Sequence, residues 1–395
     1  MADPTRWRKF WRKTRESGPL PALRLALAHV VPQRWLRVRG PDRIVSAEVL
    51  SDQLAKVLRA WGMSEDHVAI TVEIMLYADL RGIDTHGISM LPAYQVWQAE
   101  GRITVTPEIG VVRQTPATAL VDGGGGLGHV PAHTAMELAI EKCRATGVGA
   151  VAVRNSAHYG AAGAYAVMAA QAGLIGLVTS ATAAPSIVPT FGLEAMLGTN
   201  PLAFAAPAAG QPPFVLDMAT SAVSLGKLTL RKRAGRKIPD GWAVDARGRR
   251  VTNPWRAAGL TPLGGNRESG GHKGYGLAAM VEILSTLLPG AIYGKTRDAR
   301  HPDKERIGLG HFFLALDPAA FREKGAFESD LDRLIETLRA TQPLDPAQPV
   351  LVAGDSECAT HAERKGSGIP LSAALVEELR EVGRASGGHF RLDDD

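Results

Sequence analysis

The stretch Thr118-Ala-Leu-Val-Asp-Gly-Gly-Gly-Gly-Leu-Gly-His-Val-Pro-Ala-His-Thr-Ala-Met-Glu-Leu-Ala-Ile-Glu-Lys-Cys143, with Val148-Gly-Ala-Val-Ala-Val153 after it, decides the fold class. Ala119 to Val121 reads as a strand and the glycines as a turn. Pro131 to Cys143 reads as a helix, with proline near its N-terminus as helices prefer. Val148 to Val153 is a second strand. Further along, Gly160 to Ala172 is helical, Leu174 to Thr179 is a strand, and Leu202 to Ala205 and Phe214 to Met218 are short strands. Such alternation is α/β in character.

Upstream the pattern is helical. Ser46 is placed to cap a helix running to about Trp61, with Val49, Leu50, Leu54, Val57, Leu58 and Trp61 on one face. Ser64 opens a second helix that runs to about Leu80, with Glu65 and Asp66 in its first turn. A short loop, Ile83 to Gly87, leads to a helix carrying Leu91, Tyr94 and Trp97. Downstream, residues 254–272 are rich in Pro and Gly and read as a loop. A helix follows from about Lys273 to Leu288, a strand near Val350 to Ala353, and helices near 329–340 and 372–386. The last residues, Asp393 to Asp395, read as a frayed end.

Composition excludes several classes. Only Cys143 and Cys358 occur, so neither a disulfide scaffold nor a Cys-x-x-Cys site is available, and a reducing, cytoplasmic setting is expected. The net charge of +5 belongs to a leader: residues 1–43 hold eleven Lys and Arg against three acids, a net +8, which leaves the body at −3. A nucleic-acid binder would carry its charge on the folded domain. The leader reads as a disordered extension. Its Trp7, Phe10 and Trp11 among arginines also suit an anionic membrane surface. From Asn155 to Leu193 there is no charged residue, but glycines, Pro185 and Pro189 break the run. It reads as a tightly packed interior rather than a membrane span.

Gly123, Gly125 and Gly128 fit G-x-G-x-x-G after a strand and before a helix, the pattern that cradles a pyrophosphate. Arg154 at the end of the next strand would suit NADP in that reading. A turn needing positive φ explains the glycines equally well.

Four ordered motifs carry a resemblance: Asp79-Leu-Arg-Gly-Ile-Asp-Thr-His86-Gly, Gly198-Thr-Asn-Pro-Leu-Ala-Phe-Ala-Ala-Pro207, Asp217-Met-Ala-Thr-Ser221 with Gly226-Lys227, and His272-Lys-Gly-Tyr-Gly-Leu277. Over roughly residues 44 to 360 the chain resembles the malate/L-lactate dehydrogenase family, which also includes sulfolactate, ureidoglycolate and diketogulonate oxidoreductases. The resemblance implies a homodimer that binds NAD or NADP on a mixed β-sheet flanked by helices, not on a Rossmann fold. The glycine cluster would then be a turn near the active cleft. The implied organisation is a helical substrate and dimer region over 44–117, a nucleotide-binding α/β domain over 118–297, and a C-terminal region over 298–395 packing back on the helices. The implied reaction is hydride transfer between nicotinamide and a small 2-hydroxy or 2-keto acid.

Such a reaction needs a group that takes the hydroxyl proton in one direction and returns it in the other, and histidine suits both. His86, in a Gly-flanked loop beside Thr85, matches the family's active-site histidine. His158, in Asn155-Ser-Ala-His-Tyr-Gly160, resembles a family proton donor. Asp217 is placed to orient an imidazole or to bond the cofactor. The resemblance assigns Thr182, Met218, Ala219, Lys273 and Gly274 to cofactor contact, with Gly354 and Asp355 as looser matches, while Lys227 suits either the lining of the cofactor site or a solvated surface. Lys273 at a helix start suits a phosphate.

One position departs from the pattern. Many members carry Arg four residues after the motif histidine, a natural clamp for a substrate carboxylate. Here it is Met90, while Tyr94 is retained. Arg81 or Arg154 would have to replace it, or the substrate differs, a cyclic 2-carboxy imine being one candidate. A non-catalytic protein that binds through its basic leader is the reading from another class. His129 and His133 stand at i, i+4, a spacing open to metal, but Pro131 intervenes and no Glu accompanies them, so no metal is expected. Arg231, Lys232, Arg233, Arg236 and Lys237 suit either a 2′-phosphate or a solvated face.

Overall fold

Ser46 accepts the Val49 amide at 3.2 Å and so opens the first helix. Its Leu50, Leu54, Val57 and Leu58 recur on one face and are buried, each worth ~1.5–3 kcal/mol of apolar burial. The computed structural model describes residues 42–233, 235–292, 307–387 and 390–393. The basic leader thus lies outside the described residues up to position 41, as do Asp394 and Asp395.

In chain order the first elements are β1 (Arg43–Val45), α1 (Ala47–Ala60), α2 (Glu65–Leu80), α3 (Leu91–Ala99), β2 (Gly110–Gln114) and β3 (Thr118–Asp122). Then come α4 (His129–Thr146), β4 (Val148–Ser156), α5 (Ala162–Gln171), β5 (Ile175–Ser180), β6 (Leu202–Ala206) and β7 (Phe214–Met218). The remainder is α6 (Leu225–Arg233), β8 (Ala243–Val244), β9 (Gly259–Leu260), α7 (Gly271–Glu282), β10 (Leu309–Leu316), α8 (Ala326–Arg339), α9 (Asp355–Ser367), β11 (Ile369–Leu371) and α10 (Ala373–Ala385).

Among the described residues a seven-stranded sheet runs β2-β3-β4-β10-β5-β6-β7. β3 and β4 are parallel and joined through α4, while the other neighbours are antiparallel, so the sheet is mixed as expected. α4 and α5 cover one face through Ala132, Ala135, Met136, Ala139, Tyr165, Ala166 and Ala169 against Val151, Val153, Val178 and Phe313. Small residues let these helices lie at backbone distance. A Cβ on Gly149 would stand 1.9 Å from the Ala139 carbonyl, and one on Gly176 would stand 2.7 Å from that of Ala166. This accounts for the charge-free run after Asn155. No described helix is long and apolar enough to cross a membrane. The other face meets a π-helical turn, Ile283–Leu287, that continues α7, where the Thr179 and Ser285 hydroxyls bond at 2.7 Å. A second core joins α1, α2 and α3 to residues near the C-terminus, including Ile369, Leu371, Val376, Leu379 and Val382. There β1 pairs with β11.

The structure differs from the sequence reading in three places. Val350 to Val352 is irregular and Ala353 begins a turn, tied to β7 by the bond of Val215 N–H to Ala353 O at 3.3 Å, because no neighbour continues the ladder. The middle strand of the sheet is β10, so the 118–297 boundary expected for the α/β layer omits its centre. α9 forms where no apolar periodicity marked it, since none of its residues is buried. Cys143 is buried and Cys358 exposed, both free.

Candidate active site

Asp79 at the end of α2 shapes the loop that follows. Its Oδ2 accepts the Ile88 amide at 2.8 Å, and a Cβ on Gly87 would fall 2.0 Å from its carboxylate, so only glycine fits there. Burial raises the Asp79 carboxyl to about 8. Arg364 of α9 reaches across to the Asp79 carbonyl and the Asp84 carboxylate. The loop so held presents Thr85 and His86, whose side chains bond through Thr85 Oγ1 and His86 Nδ1 at 2.8 Å.

His158 follows β4 from the opposite side, and its ring stacks on His86 with centroids 5.5 Å apart. Tyr94, fully buried on α3, donates its hydroxyl to His158 Nδ1 at 2.6 Å. Burial raises the Tyr94 pKa well above its ordinary value, which keeps that proton in place. The Gly160 N–H also points at Nδ1, at 3.4 Å. Both partners donate, so Nδ1 carries the lone pair and Nε2 the proton, free to face a ligand. Both imidazoles keep part of their surface open to solvent, but protein surrounds them in depth, and depth sets their charge. Burial lowers His86 to about 4; burial, and then the neighbouring His86, His129 and His311, lower His158 well below the usual value. Both rings are neutral at neutral pH.

The glycine cluster serves this site. Gly123, Gly125 and Gly128 donate their amides to the carbonyls of Arg154, Asn155 and His158 at 2.9, 2.8 and 3.0 Å. Gly124 donates to Asp122 Oδ1 and Gly126 to Gly123 O. Gly124 and Gly125 take φ of 63° and 70°, which explains why glycine is needed there. Amides already engaged in this way do not cradle a pyrophosphate, and the loop grips the backbone of His158 instead.

The other expected residues fall in three places. Asp217, on β7, accepts the Gly163 amide at 2.8 Å, at the start of α5, so the orienting bond to His158 comes from Tyr94 and not from Asp217. One side of Asp217 faces solvent, yet the protein around it raises its carboxyl to about 6, opposed by the Gly163 bond and helped by Glu357. Gly354, at φ 99°, packs against Val215 of β7, where a Cβ would meet the Val215 backbone at 3.3 Å. Asp355 is occupied: Arg339 pairs with it at 2.6 Å and its Oδ2 accepts the Val352 amide.

A line of contacts joins Thr182 to Gly274. Thr182 N–H donates to Asn200 Oδ1, and Thr182 Oγ1 accepts the Thr199 amide. Thr220, next to Met218 and Ala219, bonds Thr199 O and Asn200 O. Leu263 N–H donates to Thr220 O, and Gly274 needs no side chain because the Leu263 carbonyl would lie 2.2 Å from its Cβ. Lys273, exposed in the first turn of α7, has no ion pair with a described residue. The loop before α7 borders an open hollow of about 390 Å³ together with Trp242 and the ion pair of Asp240 with Arg250. Gly226 packs on Thr85, with 2.7 Å from its would-be Cβ to the methyl group, and so brings exposed Lys227 towards the histidine loop. Lys227 and Lys273 are exposed cations on these elements, of the kind that suit a phosphate.

Arg81 lies over the Tyr77 ring at 3.9 Å and Arg154 pairs with Asp122 at 3.1 Å, so each is already engaged. Met90 packs into the helical core. His133 meets Glu137 at 3.2 Å, while His129 is fully buried behind Tyr94, their ring centroids 5.6 Å apart. No group of metal-ligating side chains occurs among the described residues. Arg231 and Lys232 sit over Trp242 and Trp255, which makes them surface contacts. Sequence reasoning missed Gly163, Asn200 and Gly226; only the last two stood inside quoted motifs.

A family model described as malate/L-lactate dehydrogenase matches residues 45–380. A malate dehydrogenase of Pyrococcus abyssi is 40% identical over 338 residues, covering 85% of this chain and 92% of that protein. An L-sulfolactate dehydrogenase of Methanocaldococcus jannaschii is 36% identical, covering 82% of this chain and 92% of its own length. The crystal structure of malate dehydrogenase from Entamoeba histolytica superposes with a TM-score of 0.84 at 33% identity, covering 88% of this chain and 99% of that one.

Proposed function

Because the chain belongs to the malate/L-lactate dehydrogenase family, we propose that it is an NAD- or NADP-dependent oxidoreductase of small 2-hydroxy and 2-keto acids. The observation that carries this reading is the Tyr94–His158 bond with His86 stacked against the same imidazole. When bound, the nicotinamide supplies or accepts the hydride. Thr182, the backbone at Met218 and Ala219, Lys227, Lys273 and Gly274 would hold the dinucleotide.

The protein's own part is to place and protonate the substrate oxygen. His158 Nε2–H donates to the keto oxygen in reduction, and the same nitrogen takes the hydroxyl proton in oxidation. Tyr94 and Gly160 hold the ring in the tautomer that allows this. His86, held by Thr85, gives the substrate a second polar contact. The resting pair is neutral, and the negative charge of a bound acid raises the basicity of both rings where it is needed. Asp217 fixes the start of α5 just beyond His158. The Asp355 carboxylate, engaged by Arg339 and the Val352 amide, holds the Gly354 turn.

The protein is proposed to act in the cytoplasm as a homodimer. Met280, Ile283, Leu287 and Leu288, between 37% and 58% exposed, line one side of α7 and its π-helical continuation and suit a subunit contact. The test is a fluorescence titration with NADH and with NADPH, followed by a panel of 2-keto acids and cyclic 2-carboxy imines read by oxidation of the reduced nucleotide. Turnover of a keto acid is expected. Binding of neither nucleotide refutes the assignment, and turnover of imines alone moves the substrate class.

A further inference from the structure

His311 stands third in β10, fully buried, in the run Leu-Gly-His-Phe-Phe-Leu-Ala-Leu. An imidazole in the central strand of a sheet is costly unless both nitrogens find partners. Both do: Nδ1 meets Ser180 Oγ of β5 at 2.8 Å, and Nε2 meets Ser156 Oγ of β4 at 3.0 Å. Tyr159 stacks on the ring at 4.6 Å with an interplanar angle of 1°.

Ser180 Oγ, 2.8 Å from Nδ1, also lies 3.0 Å from Ala181 O. Nε2 faces Ser156 Oγ at the end of β4, and a bond between the ring and the Ala157 backbone ties it to the next residue as well. Ser156 is the last residue of β4, and His158 lies two residues on. Opposite Ser156, β10 shifts register between Leu309 and His311, a bulge of the kind that re-aims side chains beside active sites. Asn155 adopts φ 52°, a conformation that persists only where its surroundings enforce it. The glycine loop enforces it from one side, and the histidine bridge stands on the other.

We propose that His311 is a positioning residue: through Ser156 it fixes the end of β4 and with it the place of the His158 imidazole. This rests on the reading of His158 as the group that exchanges the substrate proton. The bridge spans three strands, and its working end is Ser156.

The test compares single-turnover and steady-state kinetics with nucleotide titrations for wild type, S156A, H311F, H311Q and the double variant S156A/H311F. Phenylalanine keeps a ring against Tyr159 and removes both bonds. Glutamine returns an amide, both donor and acceptor, at the reach of Nε2. S156A and H311F are each expected to slow hydride transfer by about 10- to 100-fold, with nucleotide Kd and substrate KM nearly unchanged. The double variant should be no slower than H311F, since the bond that S156A cuts is already lost in H311F. H311Q should recover most of the loss. A wild-type rate in S156A, or losses that multiply in the double variant, overturns the proposal. Should H311F not fold, the rate of S156A decides by the same criteria. H158A separates the layers. Wild-type turnover by H158A sinks the catalytic reading and this proposal with it. An inactive H158A beside undisturbed S156A sinks only the bridge.

Discussion

Gly128→Ala tests what the glycine loop is for. A Cβ at Gly128 would stand 2.3 Å from Ala157 O and 2.8 Å from His158 O. Ordinary contact begins at roughly 3.5 Å, so the backbone at 157–158 must retreat by about 1 Å. Such overpacking costs about 1–3 kcal/mol of stability, and the Gly128 N–H bond to His158 O adds about 1 kcal/mol if it breaks. The larger effect is on rate. His158 moves with its carbonyl, and a displacement near 1 Å at a reacting group costs about 100-fold. The assay is kcat for a 2-keto acid beside the Kd of the reduced nucleotide and a thermal melt. The expected outcome is a folded protein with a lower melting temperature, kcat down about 100-fold and Kd unchanged, because the loop amides are already bonded to protein. A variant that loses nucleotide affinity while keeping kcat would show that the loop cradles phosphate and that the reasoning is wrong.

Tyr94→Phe leaves His158 Nδ1 with only the long Gly160 contact; kcat should fall about 10-fold with nucleotide Kd unchanged, and an unaltered kcat would remove Tyr94 from the mechanism. Asp79 binds its proton more tightly folded than unfolded, so its contribution to stability is complete below its ordinary 3.8 and is lost as pH rises through about 8. Asp79→Asn keeps the Ile88 bond without the charge, so thermal melts should show its advantage over wild type growing with pH across that window; a constant difference would contradict this. His129 and His311, held by burial at about 3 each, refuse protons that the unfolded chain accepts below 6.5, so stability should fall on acidification from there towards about 3, as equilibrium unfolding against pH would show. Asp355→Ala should lower the melting temperature by breaking the Arg339 pair while nucleotide Kd holds, and a large rise in Kd would return Asp355 to the cofactor site.

The elements that sequence reasoning found are those with local signals. α1 shows an apolar stripe and a serine that caps it. The β3-α4-β4 unit shows strand, glycine and helix in turn, and β5 to β7 are short apolar runs. β10 escaped because its polar His311 interrupts an apolar run, and because its partners β4 and β5 lie far away in sequence. The bounding Gly308 and Pro318 were the signal that would have found it. At the site, His86, His158, Tyr94 and Asp217 were legible as residue types in motifs. Their partners were not, because bonds such as Tyr94 to His158 and Gly163 to Asp217 join separate elements. The role of the glycine cluster was ambiguous until the acceptors of its amides were known.

The place of β10 in the sheet also governs how the protein is made. β4 and β5 emerge first from the ribosome, and the strand that belongs between them begins only at Leu309. At ordinary elongation rates the gap lasts on the order of ten seconds. Through that interval two apolar strands hold unpaired edges next to each other, the arrangement most open to wrong pairing. A nascent chain stalled before residue 309 should therefore be cut readily by protease within β4 and β5, and one released beyond β10 should resist. Equal resistance in both would mean that the two strands find another shelter while they wait.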